Sequence, residues 1–137
     1  MQNMLKPKMV FTLLSAWFIF HILIFGVMSP PQLEANIENQ KGLFSAMTIT
    51  HIGTVMIAML GVIMFLCREL DPRNSKKILL GVGTLMVFTV VLLIRTNQSA
   101  AAQFPNDPLM QTPVPAVIFW SILTIYTLYV GVTTKNE

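Results

Sequence analysis

Residues 43–67 read LFSAMTITHIGTVMIAMLGVIMFLC, a run with no Asp, Glu, Lys or Arg. As a helix rising about 1.5 Å per residue, it is longer than the roughly 30 Å hydrocarbon layer of a bilayer. Apolar residues fill it all round instead of recurring every three or four positions, so no wet face is left for water. Lipid is the solvent this segment fits.

Working outward gives three more such runs. After residues 43–67 comes RELDPRNSKK, residues 68–77, the most charge-dense part of the chain, and then an apolar run at 78–94 that ends at Arg95. Residues 96–115 are polar and contain Pro105, Pro108, Pro113 and Pro115, which predicts a loop; 115–133 is the fourth span. Upstream, 9–28 is uncharged and too long for a signal-peptide core, and no A-x-A-like site follows it. It reads as a retained first span. Ser29-Pro30-Pro31 is expected to stop it, with Ser29 capping a short interfacial helix that runs to about Gln40 and ends at Gly42. The expected fold is therefore all-α: an integral membrane four-helix bundle in one domain, with spans at 9–28, 43–67, 78–94 and 115–133.

Composition agrees with this. The chain of 137 residues is 54% hydrophobic and 11% charged, against about 25% charged in a typical soluble domain. Its net charge of +3 is no sign of a nucleic-acid partner, because the cations cluster at span ends. Lys6, Lys8, Arg68, Arg73, Lys76, Lys77 and Lys135 fall on one side of the alternating spans, and only Lys41 and Arg95 on the other. The positive-inside rule then puts both termini and the 68–77 turn in the cytoplasm, in a multi-pass protein of a bacterial-type plasma membrane. A single cysteine, Cys67, excludes an internal disulfide and reads as a small apolar residue.

Helices in lipid pack through small and weakly polar residues. Met47, His51, Thr54, Ala58, Gly61 and Phe65 form one stripe on the second span; Thr12, Ser15, Ile19, Ile22 and Gly26 form another on the first. Ser121, Thr124 and Gly131 share a face of the fourth with Trp120, and Gly81 and Gly83 allow close approach on the third. The first-span stripe is expected to face something outside the chain.

Signals for chemistry are few. No span carries an interior carboxylate or cation of the kind that transporters and pumps place at mid-depth, and Gly/Pro breaks do not interrupt the spans. GxSxG, HExxH, P-loop and GxGxxG patterns are missing, so no enzyme activity is expected. Glu69 and Asp71 resemble a carboxylate pair but sit among four cations, as a solvated turn does. Ten methionines suit Cu(I) in principle, yet Met56, Met59 and Met64 do not share one face.

His21 and His51 come nearest to a site. Each lies about 10–12 Å below the same membrane surface on consecutive antiparallel spans, a depth from which two imidazoles can ligate a b-type haem or a metal ion. The helical angles oppose this, since His51 belongs to the small-residue stripe of its span and His21 points away from its own. Packing histidines are the simpler expectation, with His51 bonded to the Met47 backbone or to Thr48. The sequence thus predicts an accessory or scaffolding subunit whose partners are other membrane subunits, copies of itself and lipids. The alternative is an electron-transfer or metal-binding subunit built on His21 and His51.

Overall fold

The computed structural model describes residues 6–103 and 112–135. Its elements in order are α1 (Pro7–Leu23), a π-helical turn (Ile24–Met28), α2 (Ser29–Asn36), α3 (Gln40–Cys67), α4 (Pro72–Gln103) and α5 (Val114–Thr133). Among the described residues every regular element is helical, and four stretches are long and apolar enough to cross a membrane: Pro7–Asn36, Gln40–Cys67, Pro72–Gln103 and Val114–Thr133. This is the composition of a multi-pass membrane protein. The helices form two compact units, one of Phe11–Glu69 and one that joins Leu70–Glu137 to the start of the chain as far as Val10.

In the first unit, the proline pair does not end the first helix. Ser29 has helical angles (φ −71°, ψ −40°), so it is not an N-cap, and the chain continues into α2. The π turn explains how. A proline in a helix lacks an N–H and its ring strikes the carbonyl four residues back. Widening the turn just upstream shifts those carbonyls, and the Ser29 backbone N–H and Oγ both donate to the Ile24 carbonyl five residues back, Oγ at 3.0 Å. Pro30 and Pro31 then fall in the first turn of α2, where they are tolerated. The short helix stops at Asn36 instead of Gln40, with Ile37 extended (φ −116°, ψ 101°). Gly42 is not its terminator; it lies inside α3, which Asn39 caps by accepting the Lys41 N–H at 3.0 Å.

α1 and its π turn pack on α3 where side chains are smallest. A Cβ placed on Gly61 would lie 3.2 Å from Ile19 Cγ1 and 3.4 Å from Phe18 Cβ, and one on Gly26 would lie 3.2 Å from Thr54 Cγ2. Gly26 is therefore in contact within its own chain, and Ser15 is buried at 2% exposure. Of the expected outward-facing stripe of the first span, Thr12 and Ile19 are exposed, and Ile19 also reaches Gly61 of α3.

The second unit is an antiparallel hairpin. A Cβ on Gly83 would stand 2.6 Å from Leu128 Cδ2 and 2.8 Å from its Cγ, while one on Gly131 would stand 3.1 Å from Leu80 Cδ2 and 3.3 Å from Leu79 Cβ. Moving down α4 from Gly83 to Leu79 means moving up α5 from Leu128 to Gly131, which fixes both direction and register. Gly81 has nothing within 4 Å and takes no part. α4 is also longer than its apolar core. It holds 32 residues, about 48 Å of helix, and passes through Arg95 to Gln103, so residues 96–103 are helical where a loop was expected. The reason is local: TNQSAAAQ includes three consecutive alanines, the best helix formers, and the first proline comes only at 105. Pro105 and Pro108 lie outside the described residues. Pro113 precedes α5 and its carbonyl accepts the first helical N–H groups, from Ala116 at 2.9 Å and Val117 at 3.3 Å.

Candidate functional site

The chemistry-bearing side chains lie in three places: the aromatic region of α1, the hydroxyl-bearing faces of the spans, and the polar ends of the α4–α5 hairpin. On α1, i to i+4 spacing sets His21 directly over Trp17. Its Nδ1 is 2.8 Å from the Trp17 carbonyl oxygen, and since a carbonyl only accepts, Nδ1 carries the hydrogen. The ring meets Trp17 edge-on at a centroid separation of 4.4 Å and lies 5.8 Å from Phe25 and 6.3 Å from Phe20. Phe18 points elsewhere, toward Gly61. His21 is thus a packed, helix-bonded imidazole.

His51 occupies a different environment. It is exposed on α3, and the structure shows no hydrogen bond from it to the Met47 backbone or to Thr48 among the described residues. Thr48 donates instead to the Phe44 carbonyl at 2.8 Å. No aromatic or hydrogen-bond contact joins His51 to His21 among the described residues, nor do three or more His, Cys, Asp or Glu side chains gather into a metal-holding group. Cys67 is a free, half-buried thiol at the end of α3.

Many hydroxyls of the spans share one arrangement. Thr54 donates to Thr50 O (2.7 Å), Thr84 to Leu80 O (2.8 Å), Ser121 to Val117 O (2.8 Å), Thr124 to Trp120 O (2.7 Å) and Thr127 to Leu123 O (2.7 Å). Each bonds the carbonyl one turn back in its own helix, which satisfies a donor that lipid cannot. Thr124 and Thr127 are buried and Ser121 half-buried. With their hydroxyls turned inward, these residues offer methyl and methylene surface to their neighbours. A recess of about 220 Å³ between α4 and α5, lined by Val87, Val90, Val91, Ser121, Thr124 and Ile125, is apolar for that reason. Ala58 similarly lines an open apolar surface with Val55, Met59, Val62 and Ile63.

Two polar devices hold the ends of the hairpin. Asp71 caps α4: its carboxylate accepts from the Asn74 backbone N–H at 3.0 Å and from Asn74 Nδ2 at 2.6 Å, and its carbonyl accepts the Ser75 N–H at 2.9 Å. These bonds from Asn74, backbone first, hold the exposed Asp71 carboxyl below the usual aspartate range. The Asp71-Pro72 pair is a helix-start signature in the sequence, and it gives Asp71 a capping role distinct from that of Glu69, which pairs with Arg68 at 3.2 Å. At the other end, Asn97 Nδ2 donates to the Thr112 carbonyl at 2.9 Å and Asn97 Oδ1 accepts the Thr112 N–H at 2.8 Å. The side-chain amide acts there as a peptide group and ties the approach to α5 onto α4. No local pattern announces that bond, because its partner lies fifteen residues away. Comparison with family models, with curated proteins and with solved structures finds no match to this chain.

Proposed function

We propose that this chain is a non-catalytic accessory or scaffolding subunit that docks onto a larger membrane complex, or onto copies of itself, through one face of α3. The observation that carries this reading is Gly53. A Cβ there would meet nothing within 4 Å, and Ile49, Met56 and Leu60, exposed on the same helix face, flank it. A small residue framed by larger ones lets a second helix approach closely in lipid. The non-catalytic part is supported by the hydroxyls of Thr54, Thr84, Ser121, Thr124 and Thr127, each bonded to its own helix. The two remaining candidates, the exposed His51 and the Cys67 thiol, join no metal-holding group among the described residues.

The test is extraction of the full chain in native-lipid particles. It is expected to travel with a second membrane chain or a second copy, and Gly53→Leu should disrupt that association. Overpacking of about 1–3 kcal/mol corresponds to a roughly 5- to 150-fold loss of affinity. A wild-type chain that is monomeric and alone in such particles overturns the proposal. The same samples are expected to show no Soret band; a band abolished by both His21→Ala and His51→Ala would replace this reading with the haem-carrying one.

The orientation proposed for this subunit has both termini and residues 68–77 in the cytoplasm of a bacterial-type plasma membrane, and α2 at the opposite surface. The segregation of seven cations from two supports it. In a Cys67→Ala background, an impermeant maleimide added to intact cells should label Ser99→Cys and spare Asn74→Cys, both exposed positions. The reverse pattern overturns the assignment.

A further inference from the structure

One end of the α4–α5 hairpin carries cations that no carboxylate answers among the described residues. The register set by Gly131 against Leu79 and Leu80 brings Lys135, four residues past Gly131, level with the first turns of α4, where Arg73, Lys76 and Lys77 lie. Arg73, Lys77 and Lys135 are exposed and Lys76 is half-buried. Among the described residues, the two acids that flank this end are engaged: Glu69 with Arg68, and Asp71 with the Asn74 backbone and side chain. Among the described residues, Arg73, Lys76, Lys77 and Lys135 form no ion pair.

We propose that Arg73, Lys76, Lys77 and Lys135 bind the headgroup phosphate of an anionic phospholipid. Depth decides for a lipid over an acidic soluble partner. Ile78 follows Lys77 directly and opens the apolar run to Ile94, and Lys135 stands just beyond the span of α5. These side chains therefore sit at the level of the headgroups, and their aliphatic stems let the charges reach the phosphates without leaving the helix. Clusters of this size beside a span attract anionic lipid strongly enough to select it from a zwitterionic background. Convergence of two chain segments, α4 and the end of α5, at one level distinguishes the cluster from a single charged turn.

The experiment places the full chain in nanodiscs of phosphatidylcholine with a minor fraction of phosphatidylglycerol and identifies the retained lipids by native mass spectrometry. Phosphatidylglycerol should be enriched over phosphatidylcholine, and the triple variant Arg73→Gln/Lys76→Gln/Lys77→Gln should reduce that enrichment on the order of tenfold. Lys76→Arg/Lys77→Arg should keep it, and so should Lys41→Gln/Arg95→Gln, which removes charge elsewhere. The proposal fails if the wild type shows no preference, if a helical, monodisperse triple variant retains it, or if the Lys41/Arg95 control loses as much. It also fails if millimolar inorganic phosphate displaces the bound lipid, since the site would then read a free anion. Should the triple variant not insert, salt titration of the wild type decides: enrichment must fall as ionic strength rises, and a salt-independent preference overturns the assignment.

Discussion

Gly83→Leu is expected to destabilise the α4–α5 hairpin by about 2–4 kcal/mol, the range of overpacking a close helix contact. The geometry leaves little alternative. Even the first carbon of a side chain at this position would lie 2.6 Å from Leu128 Cδ2 and 2.8 Å from Leu128 Cγ, with the Leu128 backbone nitrogen only 3.5 Å away. Gly83→Ala tests the same contact more gently. Alanine gains about 1 kcal/mol of helix propensity over glycine, and Leu128 is only half-buried, so its side chain has room to swing aside. Both soften the cost of the close approach to Leu128 without cancelling it, and a net loss of about 1 kcal/mol is expected. Leu128→Ala should restore most of what Gly83→Leu removes, a coupling that a double-mutant cycle measures directly by unfolding in mixed detergent micelles. Gly81→Leu serves as the control, since nothing lies within 4 Å of that position, and its effect should stay within about 0.5 kcal/mol. Equal losses at Gly81 and Gly83 would show that side-chain bulk on this helix matters regardless of what it faces.

Asn97→Ala should cost about 1–3 kcal/mol, because it breaks two hydrogen bonds and leaves a half-buried N–H and carbonyl at Thr112 without their partner. The sharper readout is local. Amide exchange at Thr112 should accelerate strongly in Asn97→Ala while the core of α4 stays protected. Asn97→Asp retains an acceptor for the Thr112 N–H but loses the donor to the Thr112 carbonyl and brings a charge beside it, so it should also fail to restore protection fully. Unchanged exchange at Thr112 in Asn97→Ala would mean that the clamp does not hold that segment.

The number and type of the membrane-spanning helices were legible because lipid imposes one demand on 43–67 and on the other three runs: enough uninterrupted apolar residues to reach across. Helix ends were harder to read, since they depend on local backbone accommodation. Ser29-Pro30-Pro31 carries the pattern of a stop, and only the widened turn at Ile24–Met28 shows why the helix passes through it. Residues 96–103 are polar enough to suggest a loop, yet polarity says where the membrane ends and not where the helix ends; the three alanines at 100–102 were the available signal. Gly81 and Gly83 look equivalent in sequence, but two positions along a helix turn about 200°, and only Gly83 comes round to face α5. The histidines mark the boundary of sequence reasoning most clearly. Their depth could be counted from the span ends, whereas the Trp17 carbonyl and the aromatic rings around His21 follow from rotamer and packing.

The long fourth helix has a mechanical consequence. α4 runs unbroken from Pro72 to Gln103 and is fastened to the chain of α5 at well-separated levels, among them Gly83 on Leu128 and Asn97 on Thr112. Those two levels stand roughly 21 Å apart along its axis. One fastening would leave a hinge, free to rotate and slide; two make a braced strut that resists shear between its members. A push on the helical turn around Ser99 should then reach Arg73, at the other end of α4, as rigid displacement with little of it lost to bending along the way.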